Sequence, residues 1–303
     1  MTAQKAAQSS ASILAHLLAL AKQRGDDYSL LLNRFALERL LCRLSVSEYA
    51  NSFLLKGAML FSLWYGQPHR PTRDVDLLGF GEDGAEHLLA TFCEIASMDL
   101  ADGIVFDTAS LRIEPIREDN TYGGSRISML GKIGSARCTV QIDVGFGDAV
   151  TPEPETVWFP ALLQGFASPK LRVYPVYTVI AEKYHAMVIL ELANSRMKDF
   201  YDLLVIAQRS DLQGDTLAQA IAATFKRRAT ALPTERPLAL TSVFHQDAAK
   251  VLQWKAFAGK NRLPVDALEQ VVILLEKLLW HPTQAALEQA KPLYWKAENL
   301  EWQ

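Results

Sequence analysis

The chain has 303 residues, 50% hydrophobic and 21% charged, which is ample apolar material for a sizeable core and too much length for one minimal domain. Its formal net charge of -3 excludes a protein that coats nucleic acid by bulk electrostatics, so any polynucleotide contact must be local. The three cysteines, Cys42, Cys93 and Cys138, are odd in number and lack CxxC spacing; they read as buried thiols in a reducing compartment, not as a disulfide framework or a zinc site.

At the N-terminus the apolar stretch Ile13 to Leu20 is interrupted by His16 and is followed, not preceded, by Lys22 and Arg24, so no signal peptide is expected. No uncharged apolar run approaches the ~18 residues that span a bilayer. A soluble cytoplasmic protein with no membrane partner is the expectation. Residues 11 to 50 carry helical periodicity with few breakers. Lys56-Gly57-Ala58 reads as the opening of another apolar helix through Leu63 to Tyr65, broken at Gly66 to Pro71 before an extended segment from Asp74 to Phe80. Residues 84 to 98 look helical.

The pattern then changes to strands: Ile104 to Phe106, Leu111 to Ile116, Arg126 to Leu130 and Arg137 to Phe146. Turn material at Glu118 to Gly124 and Gly131 to Ser135 predicts an antiparallel meander beside the Asp74 strand. Prolines from Pro152 to Pro175 indicate a connector. Beyond it, helices are expected at 178 to 193, 196 to 209, 214 to 228, 245 to 257 and 264 to 280. The predicted class is α+β: a mixed sheet flanked by helices, followed by a mostly helical C-terminal domain. The predicted divisions are 1–50, 51–175 and 176–303.

Alternation along Asp74-Val75-Asp76-Leu77-Leu78 puts Asp74 and Asp76 on one face of a strand. Two carboxylates this close repel unless a cation lies between them, which points to a divalent metal; Mg²⁺ accepts one or two carboxylates plus phosphates and water. On Arg137 to Phe146 the alternation places Asp143 on the polar side. If that strand neighbours the first, Asp143 becomes a third carboxylate for a two-metal site. The same residues also suit a solvated, turn-forming acidic pair. Lys56-Gly57-Ala58 fits a phosphate cradle, but standing alone it reads better as an ordinary helix start. Lys183 interrupts the apolar stripe Val179, Ala186, Leu190; it either snorkels or meets a phosphate. Lys226-Arg227-Arg228 and the pair Lys260 and Arg262 are local basic clusters that suit an RNA backbone or a solvated helix face. No histidine spacing suggests a metal ligand, and His185 reads as a packed or exposed neighbour of Lys183.

The run Phe53-Leu54-Leu55-Lys56-Gly57-Ala58, then Tyr65-Gly66, then Arg70-Pro71-Thr72-Arg73-Asp74-Val75-Asp76-Leu77-Leu78 resembles the AbiEii/AbiGii nucleotidyltransferase toxin family, which includes the MenT-like toxins. A second block, Thr178-Val179-Ile180-Ala181-Glu182-Lys183 followed by Arg196-Met197-Lys198-Asp199-Phe200-Tyr201-Asp202-Leu203, resembles that family's later motifs. The resemblance implies a nucleotidyltransferase fold, NTP as donor, Mg²⁺ or Mn²⁺ as cofactor, an RNA or tRNA acceptor, and a cognate antitoxin in a phage-defence setting. It implies metal ligation by Asp74, Asp76 and Asp143. It assigns NTP contacts to Lys56, Gly57, Ala58 and Arg70, and further catalytic roles to Lys183 and Asp199, with Asp202 as structural support. Ala58 and Met59 stand where the family carries a second glycine and a hydroxyl residue, which leaves open an altered donor preference or a catalytically impaired NTP- or antitoxin-binding protein. A nuclease using the same carboxylates is a further reading.

Overall fold

The computed structural model describes residues 9–116, 123–291 and 293–303. The chain divides into two units, one of residues 1–147 and 155–173, the other of residues 148–154 and 174–303.

The first unit opens with two self-capped helices. The Ser9 side chain accepts from the Ser12 amide to start α1 (Ser10–Arg24), and Gly25 ends it at φ 70°; Asp27 accepts from the Ser29 and Leu30 amides to start α2 (Tyr28–Val46). Then follow β1 (Phe53–Lys56), α3 (Leu60–Tyr65), β2 (Val75–Gly79), α4 (Ala85–Ser97), β3 (Val105–Ile116), β4 (Gly124–Ile133), β5 (Ala136–Phe146), β6 (Glu155–Trp158) and β7 (Lys170–Val173). The strands form one seven-stranded sheet in the order β3-β4-β5-β2-β1-β7-β6. The meander β3-β4-β5 is antiparallel, β5 pairs parallel with β2, and β1 pairs antiparallel with β2 and parallel with β7. α2 packs on β5 and β7, α4 on β3, and α1 on β4.

The expected α+β class and the meander beside the Asp74 strand are found. Residues 118–122 of the expected turn, and residues 1–8 of the N-terminal reading, lie outside the described residues. Three expectations need correction. Lys56, read as the opening of a helix, ends the interior strand β1 (Phe53–Lys56), and only the short α3 follows. The two segments around Val105 and Leu111 are one strand with an irregularity between Asp107 and Arg112, where the Ser110 hydroxyl takes the Leu130 amide at 2.9 Å in place of a backbone partner. The proline-rich connector contributes β6 and β7 at the sheet edge, its prolines flanking the strands instead of interrupting them. The thiols also differ from expectation: Cys42 is buried, whereas Cys93 and Cys138 are half-buried, and all three are free.

The helical preface hides charge that periodicity did not reveal. Arg43, 1% exposed, donates through both terminal nitrogens to Asp102 at 2.7 and 3.0 Å and also reaches the Met98, Ile104 and Arg39 carbonyls. Next to it, Glu38 pairs with Arg39 and accepts the Leu162 amide at 2.6 Å, while Arg39 donates to the Ala167 carbonyl at 2.8 Å. α2 is thereby fixed both to the segment entering β3 and to the loop between β6 and β7.

The second unit contains α5 (Val176–Leu190), α6 (Met197–Arg209), β8 (Leu212–Gln213), α7 (Gly214–Arg227), α8 (Ser242–His245), α9 (Ala248–Asn261), α10 (Leu268–Ala286), β9 (Tyr294–Lys296) and β10 (Glu301–Trp302). α7 lies between α5 and α10, and α10 also meets α6. The small sheet, ordered β10-β9-β8, was not expected from the sequence; it buries Trp295, whose indole donates to the Ala207 carbonyl at 2.8 Å. Among the described residues no helix is long and apolar enough to cross a membrane. Arg228, read as part of a basic cluster, instead turns inward: its Nη2 meets Asp148 at 2.9 Å, and its Nη1 lies 3.3 Å from Nδ1 of His185.

Replacing Asp102 with Ala strands the Arg43 guanidinium in the core and is expected to lower unfolding free energy by about 3 kcal/mol in urea titration, with Asp102→Leu/Arg43→Met recovering much of the loss. His185 lies against Thr230, at 2.9 Å from its hydroxyl, and Arg228, and burial together with the Arg228 charge pushes its imidazole down to about 4. The unfolded chain therefore binds the extra proton first, so the stability His185 confers is full above about pH 6.5 and is lost as pH falls towards 4. The expected loss is about 3 kcal/mol at most, read as a falling Tm that His185→Gln flattens.

Candidate active site

Register across the sheet assembles a row of four charged residues. Arg126 on β4 pairs with Asp143 on β5, Asp143 with Asp76 on β2, and Asp76 with Lys56 on β1. Neighbouring strands lie ~4.8 Å apart, so the two carboxylates stand side by side with a cationic residue outside each. The phase of each strand is set by burial. On β5, Val140, Ile142 and Val144 are buried while Gln141 and Asp143 are only half-buried; on β4, Ile127 and Met129 are buried while Arg126 and Ser128 are half-buried. A polar face thus emerges from ordinary alternation.

Asp74 immediately precedes β2 and lies two residues from Asp76; the Thr72 hydroxyl donates to its Oδ1 at 2.7 Å. Gly57 sits where β1 turns, with φ 75°, and a Cβ built there would lie 1.9 Å from Oδ2 of Asp76. The bare Cα is therefore what admits the carboxylate against the turn. On the far side, a Cβ at Gly145 would come 3.7 Å from Nζ of Lys56, which places the Lys56 ammonium over β5, two residues from Asp143. Ala58 and Met59 are buried, 6% and 4% exposed, so Met59 serves the core and offers no donor. Arg70 is half-buried in the loop before β2.

Asp143 is occupied by a cation from its own sheet. Arg126 donates through Nε to Oδ1 at 2.9 Å and through Nη2 to Oδ2 at 2.7 Å, and Gln141 lies 3.5 Å from Oδ1. The hydrogen bonds to Asp143, and beyond them the charges of Asp143, Asp74 and Asp76, hold the Arg126 guanidinium above its ordinary pKa. Among the described residues no group of three His, Cys, Asp or Glu side chains forms a metal cage. What the sheet offers is Asp76 against the Gly57 turn and Asp74 two residues before it, carboxylates of the kind a hard divalent cation takes while keeping several water or phosphate ligands.

The second unit holds the other residues singled out by sequence. Lys183 on α5 donates to Oδ1 of Asp199 at 2.6 Å and lies 2.8 Å from Oδ2 of Asp202, both on α6; Arg196 donates through Nε to the remaining oxygen of Asp199 at 2.7 Å. Asp199 and Asp202 are fully buried, and the Lys183 side chain is 15% exposed. Burial works to raise the Asp199 carboxyl, but the charges of Lys183 and Arg196 outweigh it and hold the carboxyl below its usual range. Lys183 is thus neither snorkelling nor free to sweep: two buried carboxylates fix its ammonium. Asp202 shares this work equally with Asp199. Arg126 was missed at sequence level, although its place opposite Asp143 is legible once the β4–β5 hairpin register is known.

Gly57 and Gly25 both adopt left-handed φ, 75° and 70°, but nothing lies within 4 Å of a Cβ at Gly25. Gly25→Ala is therefore expected to cost only the left-handed backbone penalty, ~1 kcal/mol. Gly57→Ala must also displace the Asp76 carboxylate and is expected to cost about 2 kcal/mol more in urea unfolding.

A family model described as nucleotidyl transferase AbiEii toxin, type IV toxin–antitoxin system, matches residues 39–286. Comparison with curated proteins finds no match. Among solved structures, JHP933 from Helicobacter pylori is similar at 17% identity and TM-score 0.48, covering 85% of this chain and 94% of its own. A candidate nucleotidyltransferase from H. pylori is similar at 16% identity and TM-score 0.48, covering 86% and 97%. The matched span of the family model takes in the charged row of the sheet and the lysine–aspartate cluster of the helical unit, and on that match the chain belongs to the AbiEii nucleotidyl transferase toxin family.

Proposed function

We propose that the protein transfers a nucleotidyl group from an NTP to a hydroxyl of RNA, a tRNA end being the favoured acceptor, in the cytoplasm, and that a cognate antitoxin restrains it within a phage-defence system. The observation that most supports this reading is the pairing of Asp76 with Asp143 on adjacent parallel strands, with Asp74 two residues away and the Gly57 turn pressed against Asp76. In this reaction the acceptor oxygen bonds to the α-phosphorus, the bond from that phosphorus to the bridging oxygen breaks, and pyrophosphate departs with the electron pair.

Asp74 and Asp76 would hold Mg²⁺ or Mn²⁺, with Asp143 either binding a second ion or taking the acceptor's proton. A bound divalent cation supplies Lewis acidity and neutralises charge on the phosphates. Lys56, the backbone at Gly57 and Ala58, and Arg70 would position the triphosphate. Lys183, with its orientation set by Asp199 and Asp202, would offset charge on the departing pyrophosphate. Buried Met59 favours a second reading, in which the protein binds NTP or antitoxin without transfer, because the turn lacks a hydroxyl donor.

The deciding assay incubates the protein with each labelled NTP, Mg²⁺ and total cellular RNA. Labelled RNA is expected, with incorporation reduced about 100-fold or more in Asp76→Asn while circular dichroism is unchanged. Unchanged incorporation in that variant rejects the site. NTP binding by calorimetry without any labelled RNA favours the second reading, and RNA cleavage that proceeds without NTP indicates a nuclease.

A further inference from the structure

Both oxygens of Asp143 are taken by one guanidinium in a bidentate pair, the geometry in which arginine holds a carboxylate best. Arg126 is also the outermost member of the register row Arg126, Asp143, Asp76, Lys56, so it bounds the carboxylate pair on the β4 side. The two partners differ in freedom. The Asp143 side chain is 16% exposed and fixed on the inner strand, while the Arg126 side chain is 42% exposed. The arginine half of the pair is open to solvent, so a divalent cation, with twice the charge, can compete for the carboxylate while the Arg126 side chain swings outward without moving the sheet. A guanidinium released here retains a planar fork that matches phosphate oxygens as well as it matches a carboxylate.

We propose that the Arg126 guanidinium and a divalent cation compete for the Asp143 carboxylate, and that Arg126, once displaced, passes to the phosphates of the NTP. The inference rests on the nucleotidyltransferase reading above and adds a positioning role that the sequence motifs do not contain. Arg126 offsets one negative charge of the acidic row before the cation arrives, and its release couples cation binding to NTP binding: each favours the other, because each is served by the same movement of one side chain.

The test measures Mn²⁺ binding by calorimetry and electron paramagnetic resonance in the absence of nucleotide, then binding of a non-transferable NTP analogue in saturating Mn²⁺. In Arg126→Gln, Mn²⁺ is expected to bind about tenfold more tightly and the analogue about tenfold more weakly. Arg126→Lys, which keeps the charge and loses the fork, is expected to fall between wild type and Gln in both measurements, and it serves as the informative variant if Gln proves unfolded. A purely structural arginine would not move the two affinities in opposite directions. Unchanged or weaker Mn²⁺ binding in both variants overturns the inference while leaving the transfer reaction intact in the wild-type assay. Absence of Mn²⁺ binding from wild type and variants alike overturns it together with the metal-dependent reading.

Discussion

Two carboxylates on adjacent parallel strands repel each other, and the charged row of the first unit is arranged around them. Asp76 and Asp143 face the same way from β2 and β5 at one register position, where mutual repulsion disfavours both negative charges. The protein offsets this within its own sheet, through Arg126 paired with Asp143 from β4 and through Lys56, which starts from β1 beside Asp76 and carries its ammonium over β5. A glycine turn then lets backbone approach Asp76 more closely than any side-chain-bearing residue would permit. Stability and chemistry pull against each other at this point: a pair of apolar residues would suit the sheet better, and would bind nothing.

The helical unit solves the opposite problem. There a single ammonium is held by two fully buried aspartates, and Arg196 takes up the remaining oxygen of one of them. The group is nearly neutral overall, which is what permits burial, and its geometry is overdetermined. Sequence phase places Lys183 on an apolar stripe but does not show which acid it meets. The resemblance singles out Asp199 and leaves Asp202 as structural support; in the structure both meet Lys183, because α6 presents residues three apart on the same side.

The legible parts of the molecule were those governed by local period. β4 and β5 alternate along most of their length, the helices from α5 onward show repeating apolar faces, and the placement of Asp76 and Asp143 on the polar side follows from alternation, although β2 alternates only from Val75 to Leu77 and Asp74 lies just before it. The less legible parts depend on long-range partners. Phe53–Lys56 is buried through its first three residues and so shows no period; only its pairing with β2 and β7 makes it a strand. Arg39, Arg43 and Glu38 look like the solvated side of a helix, yet their partners lie 55 or more residues away at Met98, Asp102, Leu162 and Ala167. Arg228 likewise turns inward to Asp148, 80 residues distant. Arg126 belongs in the same group: its role depends on a hairpin register that spacing alone does not fix.

The charged row also bears on how the chain finds its native pairing. Sliding β2 by one residue against β5 would turn Asp76 into the apolar layer and bring Leu77 out to the polar face, and the same slip on β4 would exchange Arg126 for Ile127. Misaligned sheets would then carry ions into the hydrocarbon interior and be heavily penalised, whereas the native alignment places four ions in mutual compensation. The same charged side chains that are proposed to handle nucleotide therefore also make a one-residue offset of these strands costly, whether or not a ligand is bound.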